Sequence, residues 1–341
     1  MKYLVTGGGG YIGTVLVDEL LAAGHEVDVF DRFYFGEEPF GIHKGNPKLR
    51  LVRGDIRSID VDVVRGHDVV LDLAGMSNDP SADLDPRLTE EINYAGSIRL
   101  AQLARGAGVP RLVYSSSCSI YGAAGSGDAR DEEAELNPVS LYAKMKVKSD
   151  LELRAMASPN FVVTTMRNAT VYGLSRRMRF DLVVNMMTLF AWRDKKIFVM
   201  GGGKQWRPLV HVKDVAQAFM LAANAPAEKV NGEAFNIGFD EQTYQVTAIA
   251  SMVAGIVPNT EIEHVPDDPD KRSYRVNFGK AKRVLGLLPK ITVEAGAKEV
   301  LDALMKSSVD DNIKTKTVAY YRFLIEAERL VNQLSINGRV L

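Results

Sequence analysis

Met1–Gly13, which reads MKYLVTGGGGYIG, is a short apolar run that passes directly into glycines. The amphipathic segment Tyr11–Leu21 follows, so the pattern predicts a strand, a glycine turn and a helix in that order. Within this order, glycines spaced as GxxGxxG are typical of a turn that binds a dinucleotide. The three glycines here are Gly7, Gly10 and Gly13.

Each of these glycines has its own physical purpose in such a turn. Gly7 permits the tight turn after the strand, and Gly10 lets the backbone approach a diphosphate because it has no Cβ. Gly13 lets the helix pack close to the sheet, so that the helix N-terminus and its dipole face the phosphates. A simple flexible loop is disfavoured because an acidic residue, Asp31, stands at the expected distance.

Asp31 closes the second predicted strand, Glu26–Asp31. An acid at this place accepts hydrogen bonds from the adenosine ribose, and its charge disfavours an additional 2′-phosphate. Arg32 follows directly and could receive that phosphate. The sequence therefore favours NAD over NADP and leaves NADP open.

The length and composition of the chain exclude several classes of protein. With 341 residues, 46% of them hydrophobic, the chain can form one large α/β unit or two lobes. A net charge of −1 provides no long-range field for nucleic acid or an anionic membrane. One cysteine excludes an internal disulfide framework, and no apolar run is long enough to span a membrane. We expect a cytoplasmic protein, and no metal site is predicted.

The first half of the chain alternates strand patterns with helix patterns. This alternation predicts a parallel sheet covered on both faces, the Rossmann type of doubly wound α/β fold. Ligands of such a sheet lie at the carboxyl ends of its strands. Beyond the first two, the predicted strands are Leu49–Arg53, Val69–Leu73, Leu112–Ser115 and Phe161–Arg167, and the predicted long helices are Pro86–Arg105 and Asn137–Ala157.

Two strand ends in this half provide further candidate cofactor contacts. Asp55 and Ile56 follow the third strand, where Asp55 either holds an adenine or caps a turn. Leu73 ends the fourth strand, and the residues after it, Ala74 and Gly75, are small enough to run beside a cofactor.

A serine-rich strand end and a Tyr-x-x-x-Lys segment form the candidate catalytic set. Ser115–Gly122 reads SSSCSIYG, and Tyr142 and Lys146 share one face of a helix because they are four residues apart. The reference pKa of tyrosine is about 10, and a lysine ammonium together with the positive nicotinamide of an oxidised cofactor favours the phenolate. We therefore expect Tyr142 to act as a general base and Ser117 to hydrogen-bond the same substrate oxygen.

The segments TGGGGYIG, SSSCSIYG and YAKMK, in this order, resemble the extended short-chain dehydrogenase/reductases that act on nucleotide-diphosphate sugars. The likeness spans nearly the whole chain. It implies NAD as the cofactor, a nucleotide-diphosphate sugar as the substrate, and Ser117, Tyr142 and Lys146 as the catalytic residues. The cofactor contacts that it implies, together with those argued above, are Gly7, Gly10, Tyr11, Ile12, Gly13, Asp31, Arg32, Asp55, Ile56, Leu73, Ala74, Gly75, Asn93, Ser115, Tyr142 and Lys146.

Runs in the second half resemble the substrate-binding segments of the same family. Thr170 stands where the family commonly has an Asn, and Arg207 and Arg272 match its phosphate-binding arginines. A narrower likeness, to a subgroup containing GDP-heptose 4-dehydrogenases, rests on RMRFDLVVN at 177–185 and DPDKR at 268–272. The implied substrate contacts are Ser117, Cys118, Ser119, Thr170, Arg179, Asn185, Arg207 and Arg272.

The basic residues of these runs form a cationic set in a nearly neutral chain. A single arginine is usually a solvated surface charge, but we expect the set to face the cleft that holds the substrate diphosphate, because guanidinium groups suit bidentate phosphate recognition. Its members are Arg176, Arg177, Arg179, Arg207, Lys271, Arg272 and Arg275.

Two departures from the family distinguish between reactions. A 4,6-dehydratase needs an Asp-Glu pair after its catalytic Ser or Thr, and the chain has Cys118 and Ser119 there. Neither side chain can do that work at neutral pH without a large shift in its pKa. Cys118 could act as an acid or base, but a small packed residue is the preferred interpretation.

Oxidation at one sugar carbon remains, with C4 preferred, and an epimerase with a transient 4-keto sugar is favoured. The alternatives are a 4-dehydrogenase or ketoreductase that releases the keto sugar, a reductase of a non-nucleotide carbonyl, and a non-catalytic NAD(P)-binding regulator. The predicted domains are an NAD-binding domain at 1–173 plus about 204–241 and a smaller α/β lobe for the nucleotide sugar at about 174–203 plus 242–341. A homodimer through the two long helices is expected.

Overall fold

The structure is a computed structural model and describes residues 1–122, 129–266 and 273–340. Strands in the described part form a central sheet of seven strands and two smaller sheets. In chain order the strands are β1 (Lys2–Thr6), β2 (Glu26–Asp31), β3 (Leu49–Arg53), β4 (Val69–Asp72), β5 (Arg111–Ser117), β6 (Val162–Asn168), β7 (Thr170–Tyr172), β8 (Lys196–Met200), β9 (Trp206–His211), β10 (Glu233–Ile237), β11 (Thr243–Gln245) and β12 (Glu261–Val265).

Helices separate most of these strands. In chain order they are α1 (Tyr11–Ala22), α2 (Val61–Val64), α3 (Asp79–Ala82), α4 (Pro86–Glu90), α5 (Ser97–Gly106), α6 (Leu141–Ala155), α7 (Val183–Asp194), α8 (Val212–Asn224), α9 (Ala227–Val230), α10 (Val246–Ile256), α11 (Val293–Met305) and α12 (Thr317–Leu334).

The seven-stranded sheet is parallel throughout and has the order β10-β6-β5-β4-β1-β2-β3. The order reverses between β1 and β4, and a crevice opens at such a reversal at the carboxyl ends of the strands. The predicted Rossmann-type, doubly wound α/β fold is therefore confirmed.

Both faces of the sheet are buried, and β1 shows why its sequence is apolar. Tyr3 and Val5 belong to one hydrophobic cluster with α1 and α8, whereas Leu4 belongs to the opposite cluster with α5. Since successive side chains of a strand point to opposite faces, a strand covered on both sides needs an uninterrupted apolar run.

Two small sheets and three helices pack together beside the central sheet. Strands β11, β9 and β7 form a three-stranded sheet, and β12 pairs with β8. A third hydrophobic cluster unites these strands with α7, α10 and α11. The sequence assigned Trp206–His211 to the NAD-binding domain, but this strand pairs with β7 and β11 and not with the central sheet.

The two long helices differ from their predicted bounds. The predicted helix Pro86–Arg105 contains a wider π turn, Glu91–Gly96, between α4 and α5. The helix predicted to begin at Asn137 begins at Leu141, because the Ser140 side chain caps it by accepting a hydrogen bond from the Ala143 N–H at 3.1 Å.

The C-terminal helix α12 packs over the loop that follows β2. The Tyr320 hydroxyl donates to the Tyr34 carbonyl at 3.0 Å, and the rings of Phe35 and Tyr321 lie 5.7 Å apart. The sequence placed this helix in the smaller lobe, so its position beside β2 is a difference from the prediction. None of the described helices combines the length and the apolar character needed to cross a membrane.

Candidate active site

A cavity of about 830 Å³ opens at the carboxyl ends of the central strands and extends toward β9. The glycine turn forms one wall. Gly7 has a φ of +68°, and a Cβ there would lie 2.6 Å from the backbone of Leu73 and Ala74. At Gly13 a Cβ would lie 2.5 Å from the Gly7 carbonyl oxygen, so helix α1 can pack on the turn only without a side chain.

Gly10 precedes helix α1 and leaves the helix N-terminus open to the cavity. Its N–H donates to the Gly7 carbonyl at 3.0 Å, and within 4 Å a Cβ at Gly10 would meet that carbonyl oxygen alone. The next residues, Tyr11 and Ile12, also line the cavity. The N-terminus of α1 therefore lies at the cavity without a side chain at Gly10 in front of it, and the positive end of its dipole suits an anion.

Asp31 ends β2 beside the glycine turn. Its carboxylate accepts hydrogen bonds from the Gly9 N–H at 2.9 Å and from the Phe33 N–H at 2.7 Å. Burial raises the pKa of Asp31, and these backbone hydrogen bonds oppose the rise. The carboxylate is thus held in place before any ligand arrives.

Arg32 has a partner in the protein. Its Nη1 donates to the Asp55 carboxylate at 2.7 Å, and Asp55 also accepts from Arg57 Nη2 at 2.6 Å and from the Arg57 N–H at 2.9 Å. Burial opposes ionisation of Asp55, but the bonds from Arg57 leave its pKa lowered. Asp55 therefore caps the turn at Ile56, and both residues also line the cavity.

The exit of β4 forms the floor between the glycine turn and the serine-rich strand. Leu73, Ala74 and Gly75, which the sequence predicts as cofactor contacts, line the cavity. Asn93 is fully buried behind them, in the π turn. Its Oδ1 accepts from the Met76 N–H at 2.7 Å and its Nδ2 donates to the Met76 carbonyl at 2.9 Å, so Asn93 positions this exit from outside the cavity lining.

The candidate catalytic residues lie on one wall. Ser115 and Ser117 end β5, and Tyr142 and Lys146 face them from α6. Lys146 Nζ donates to the Ser115 carbonyl at 2.6 Å and to the Tyr114 hydroxyl at 3.1 Å, and it lies 5.9 Å from the centre of the Tyr142 ring.

The electrostatics of this wall differ from the prediction. Burial raises the pKa of Tyr142 to about 12, and the Asp79 carboxylate adds to the rise, whereas a hydrogen bond with Ser117 and the charge of Arg179 oppose it. Burial also lowers the pKa of Lys146 to about 8. The protein's own groups therefore do not ionise Tyr142 at neutral pH, because desolvation outweighs the nearby positive charges.

Of the predicted substrate contacts Cys118 and Ser119, Ser119 lines the cavity and Cys118 does not. Cys118 is fully buried outside the cavity lining, its Sγ donates to the Arg167 carbonyl at 3.0 Å, and burial raises the pKa of its thiol. The Ser119 hydroxyl oxygen is buried and has no hydrogen-bond partner in the described structure. Cys118 is thus a packed residue, which is the preferred sequence interpretation.

The other predicted substrate contacts fall into two groups. Thr170, Arg179 and Arg207 line the cavity, whereas Asn185 does not. Asn185 is fully buried and binds only protein, with Oδ1 accepting from the Gly173 N–H at 2.9 Å and Nδ2 donating to the Tyr11 hydroxyl at 3.1 Å. The predicted contact Arg272, with the neighbouring Lys271, lies outside the described residues.

Arg179 does not present a bare positive charge. Its Nε and Nη2 bind the two carboxylate oxygens of Asp181 at 2.9 and 3.0 Å, and its Nη1 donates to Ser77 Oγ at 3.0 Å. The Asp181 carboxylate therefore offsets the charge of the buried Arg179 guanidinium. Arg207 is also buried, with Nη1 donating to the Trp206 carbonyl at 3.1 Å.

Sequence reasoning missed the contribution of helix α12. Tyr321, Leu324, Ile325 and Glu328 line the cavity at the end where Asp31 lies. Their amphipathic spacing predicts a helix but carries no information about the surface it covers, so no local signal could have found them. In the described part of the chain, no three His, Cys, Asp or Glu side chains stand close enough to hold a metal ion.

The cavity fits an NAD-type dinucleotide by two observations of its own. The glycine turn is a cradle that side chains would fill, and the lining residues include Arg177, whose buried Nε and Nη1 have no hydrogen-bond partner in the described structure. Both features suit a diphosphate.

Comparisons with known proteins agree with this fit. Residues 3–238 match the family described as "NAD dependent epimerase/dehydratase family". A UDP-glucose 4-epimerase of Mycolicibacterium smegmatis is 31% identical, with 90% of this chain and all of that protein covered. A UDP-glucuronic acid decarboxylase 4 of Arabidopsis thaliana is 28% identical over 87% of this chain and 67% of that protein.

A solved structure gives the same result for the fold. MoeE5 in complex with UDP-glucose and NAD is 27% identical and has a TM-score of 0.78. The match covers 91% of this chain and all of that chain. The family match spans more than half of the chain, and the epimerase relative is covered over its whole length. The chain therefore belongs to the NAD-dependent epimerase/dehydratase family, the extended short-chain dehydrogenase/reductases, which are enzymes that include nucleotide-sugar epimerases, dehydratases and decarboxylases.

Proposed function

We propose that this enzyme epimerises a nucleotide-diphosphate sugar at C4 through a transient 4-keto sugar, with NAD held throughout. One observation carries the proposal. Ser117, Tyr142 and Lys146 line the same cavity as the glycine turn and Arg207. The residues that would bind the cofactor, transfer the proton and bind the substrate diphosphate thus line one cavity.

The residues that would hold NAD are those of the glycine turn and Asp31 at the end of β2. Bound there, NAD would supply an acceptor for the hydride of the sugar carbon and a positive nicotinamide ring. Asp31, fixed by its bonds to the Gly9 and Phe33 N–H groups, would accept from the adenosine ribose. Because Arg32 is already paired with Asp55, its charge is partly offset, which supports NAD over NADP.

Tyr142 would move the proton. Its hydroxyl has a pKa of about 12 in the protein, so its ionisation requires an additional positive charge nearby. With that charge, its oxygen takes the proton of the sugar hydroxyl and later returns it. Ser117, which lies near enough to Tyr142 to lower its pKa, would donate to the same sugar oxygen.

Lys146 would keep the site positively charged and ordered. Its two hydrogen bonds to β5 fix the ammonium between Tyr114 and the Tyr142 ring. The carboxylates of Asp72 and Asp150 counteract part of the effect of burial on its pKa. At neutral pH the lysine therefore remains largely protonated.

A dehydratase function is disfavoured by the residues next to Ser117. Dehydration needs a second acid and base, and the neighbouring Cys118 thiol is buried with a raised pKa. Ser119 has a hydroxyl that is neutral at ordinary pH. The site therefore supports oxidation and reduction at one carbon without elimination of water.

The test begins with the purified protein. After denaturation, mass spectrometry of the supernatant identifies a retained cofactor, and we expect NAD. A panel of UDP-, GDP- and dTDP-sugars is then incubated with the enzyme and analysed by NMR. An epimeric sugar formed without added NAD supports the proposal, whereas a free keto sugar with one equivalent of reduced cofactor supports a 4-dehydrogenase.

A variant of Tyr142 tests whether turnover depends on its hydroxyl. Tyr142→Phe should abolish turnover and leave the affinity for NAD nearly unchanged. Tyr94→Phe is the matched control, because the Tyr94 hydroxyl bonds to Glu152 away from the cavity lining. Turnover in Tyr142→Phe equal to that of the control would remove Tyr142 from the mechanism.

A further inference from the structure

The segment after β7 runs along the N-terminus of α1. The Tyr11 hydroxyl donates to the Gly173 carbonyl at 2.6 Å, and the Ser175 hydroxyl donates to the Tyr11 carbonyl at 2.8 Å. Thr14 Oγ1 lies 2.9 Å from Ser175 Oγ. Residues that follow in this segment are therefore held beside the glycine turn.

Three arginines on this segment have different surroundings. Arg176 is half-exposed and forms an ion pair with Asp18, and Arg179 forms the bidentate pair with Asp181. Arg177 is only 5% exposed, and no described carboxylate lies within ion-pair distance of it. Arg177 thus differs from both neighbours in the segment.

The surroundings of Arg177 satisfy only part of its guanidinium. Nη2 donates to Thr317 Oγ1 at 3.0 Å, and the Cζ atom lies 3.5 Å from the centre of the Phe35 ring. Nε and Nη1 have no hydrogen-bond partner in the described structure. A buried charge with unmet donors is costly to a fold, and a bound anion would supply the missing acceptors.

The neighbours of Arg177 identify the end of the cavity it serves. Phe35 belongs to the loop after β2, Thr317 begins α12, and Asp31 is near enough for its charge to attract Arg177. Burial lowers the pKa of Arg177 to about 10, so it stays positively charged at neutral pH. Because Asp31 accepts from the Gly9 N–H, these groups lie at the end of the cavity that the glycine turn forms.

We propose that Arg177 donates to the diphosphate of the dinucleotide held at the glycine turn, and that Thr317 positions it, so that helix α12 becomes part of the cofactor site. This inference rests on the proposed function, which requires NAD in the cavity. It departs from the sequence prediction, in which Arg177 belonged to the set facing the substrate diphosphate. Such an enclosure would help the enzyme to retain its cofactor between the two half-reactions.

Titration calorimetry with the full chain, freed of retained nucleotide, tests the proposal. The ligands are NAD, ADP-ribose, adenosine and UDP, and the variant is Arg177→Met, which keeps the length of the side chain and removes its charge. Arg176→Met is the matched control, since it removes the same charge one residue earlier and outside the cavity lining. Thermal unfolding without ligand is recorded for both variants.

Arg177→Met should weaken NAD and ADP-ribose binding by about 10- to 100-fold, the usual effect of losing charge-assisted hydrogen bonds. Adenosine and UDP should bind as they do to the unaltered protein, because neither presents the cofactor diphosphate. The melting temperature without ligand should be unchanged or higher, since a cation with unmet donors has been removed. Arg176→Met should change none of the four affinities.

Thr317 is a positioning residue and has its own test. Thr317→Val removes the oxygen that accepts from Arg177 Nη2 at almost the same side-chain volume, and it should weaken ADP-ribose binding by several-fold. Thr317→Ser restores the oxygen and should restore the affinity. A purely structural role for Thr317 would not depend on this oxygen.

The remaining outcomes overturn the proposal in distinguishable ways. If the unaltered protein binds no NAD, the proposed function fails and the inference with it. If it binds NAD and Arg177→Met binds ADP-ribose equally well, the inference alone is wrong. If Arg177→Met loses affinity for UDP and not for ADP-ribose, Arg177 serves the substrate diphosphate instead.

Discussion

Lys146→Met should increase the stability of the folded protein at neutral pH while it removes activity. Lys146 is 5% exposed, and burial lowers its pKa from the ordinary value of 10.5 to about 8. Since one unit of pKa difference corresponds to about 1.4 kcal/mol, the fold disfavours the charged lysine by about 3 kcal/mol at pH 7. Methionine has a similar length and no charge.

Part of this gain is offset by lost contacts. The lysine donates to the Ser115 carbonyl and to the Tyr114 hydroxyl, and each hydrogen bond contributes about 1 kcal/mol. The expected net increase in the free energy of unfolding is therefore about 1–2 kcal/mol at pH 7. Turnover should fall by at least about 100-fold, because the ammonium that supports Tyr142 is gone.

The pH dependence provides a second signature. Because the folded-state pKa is below the unfolded-state value, the unfolded chain holds the proton more tightly, and the stability of the unaltered protein rises between about pH 8 and pH 10.5. Lys146→Met lacks this rise. Its advantage should shrink by about 2 kcal/mol between pH 7 and pH 9.5 and then vanish or reverse.

Urea unfolding at pH 7 and pH 9.5 measures both effects. Lys144→Met is the matched control, since it removes the same charge from an exposed position of the same helix and should show neither the gain nor the pH dependence. A Lys146→Met protein that is less stable at pH 7, or whose difference from the unaltered protein does not vary with pH, would refute the reasoning.

Three further changes probe other parts of the site. Gly13→Ala brings a Cβ to 2.5 Å from the Gly7 carbonyl, so NAD affinity should be lost in calorimetry and the free energy of unfolding should fall by about 1–3 kcal/mol; unchanged binding contradicts this. Cys118→Ala should keep turnover near the unaltered rate, as its thiol is buried outside the lining, and a large loss would make the thiol catalytic. Asp31→Ser should reduce the preference for NAD over NADP by about tenfold, measured as the ratio of their affinities, and an unchanged ratio would place the discrimination elsewhere.

The sequence was most informative where local rules act alone. The strands Glu26–Asp31 and Leu49–Arg53 have their predicted bounds, because each is a short run rich in valine, leucine or phenylalanine, which favour a sheet. The conformation of Gly7 was also predictable, since only glycine adopts its positive φ without strain. These features depend on neighbours in the chain.

Features that depend on distant packing were not predictable. The helix predicted at Pro86–Arg105 carries no sign of its π turn, and the isolation of Arg177 depends on which carboxylates the fold brings near it. The pKa of Tyr142 is another example. A lysine one turn away suggested a lowered value, but the extent of burial decides the sign, and burial is a property of the whole fold.

One isotope measurement tests the central claim most directly. The enzyme is given its nucleotide-diphosphate sugar with deuterium on C4, and the product is analysed by NMR and mass spectrometry. Oxidation and reduction at C4 with a retained cofactor predict an epimeric sugar that still carries the deuterium on C4, with none gained from solvent. An unchanged C4 configuration together with a solvent-derived proton on a neighbouring carbon would contradict the claim.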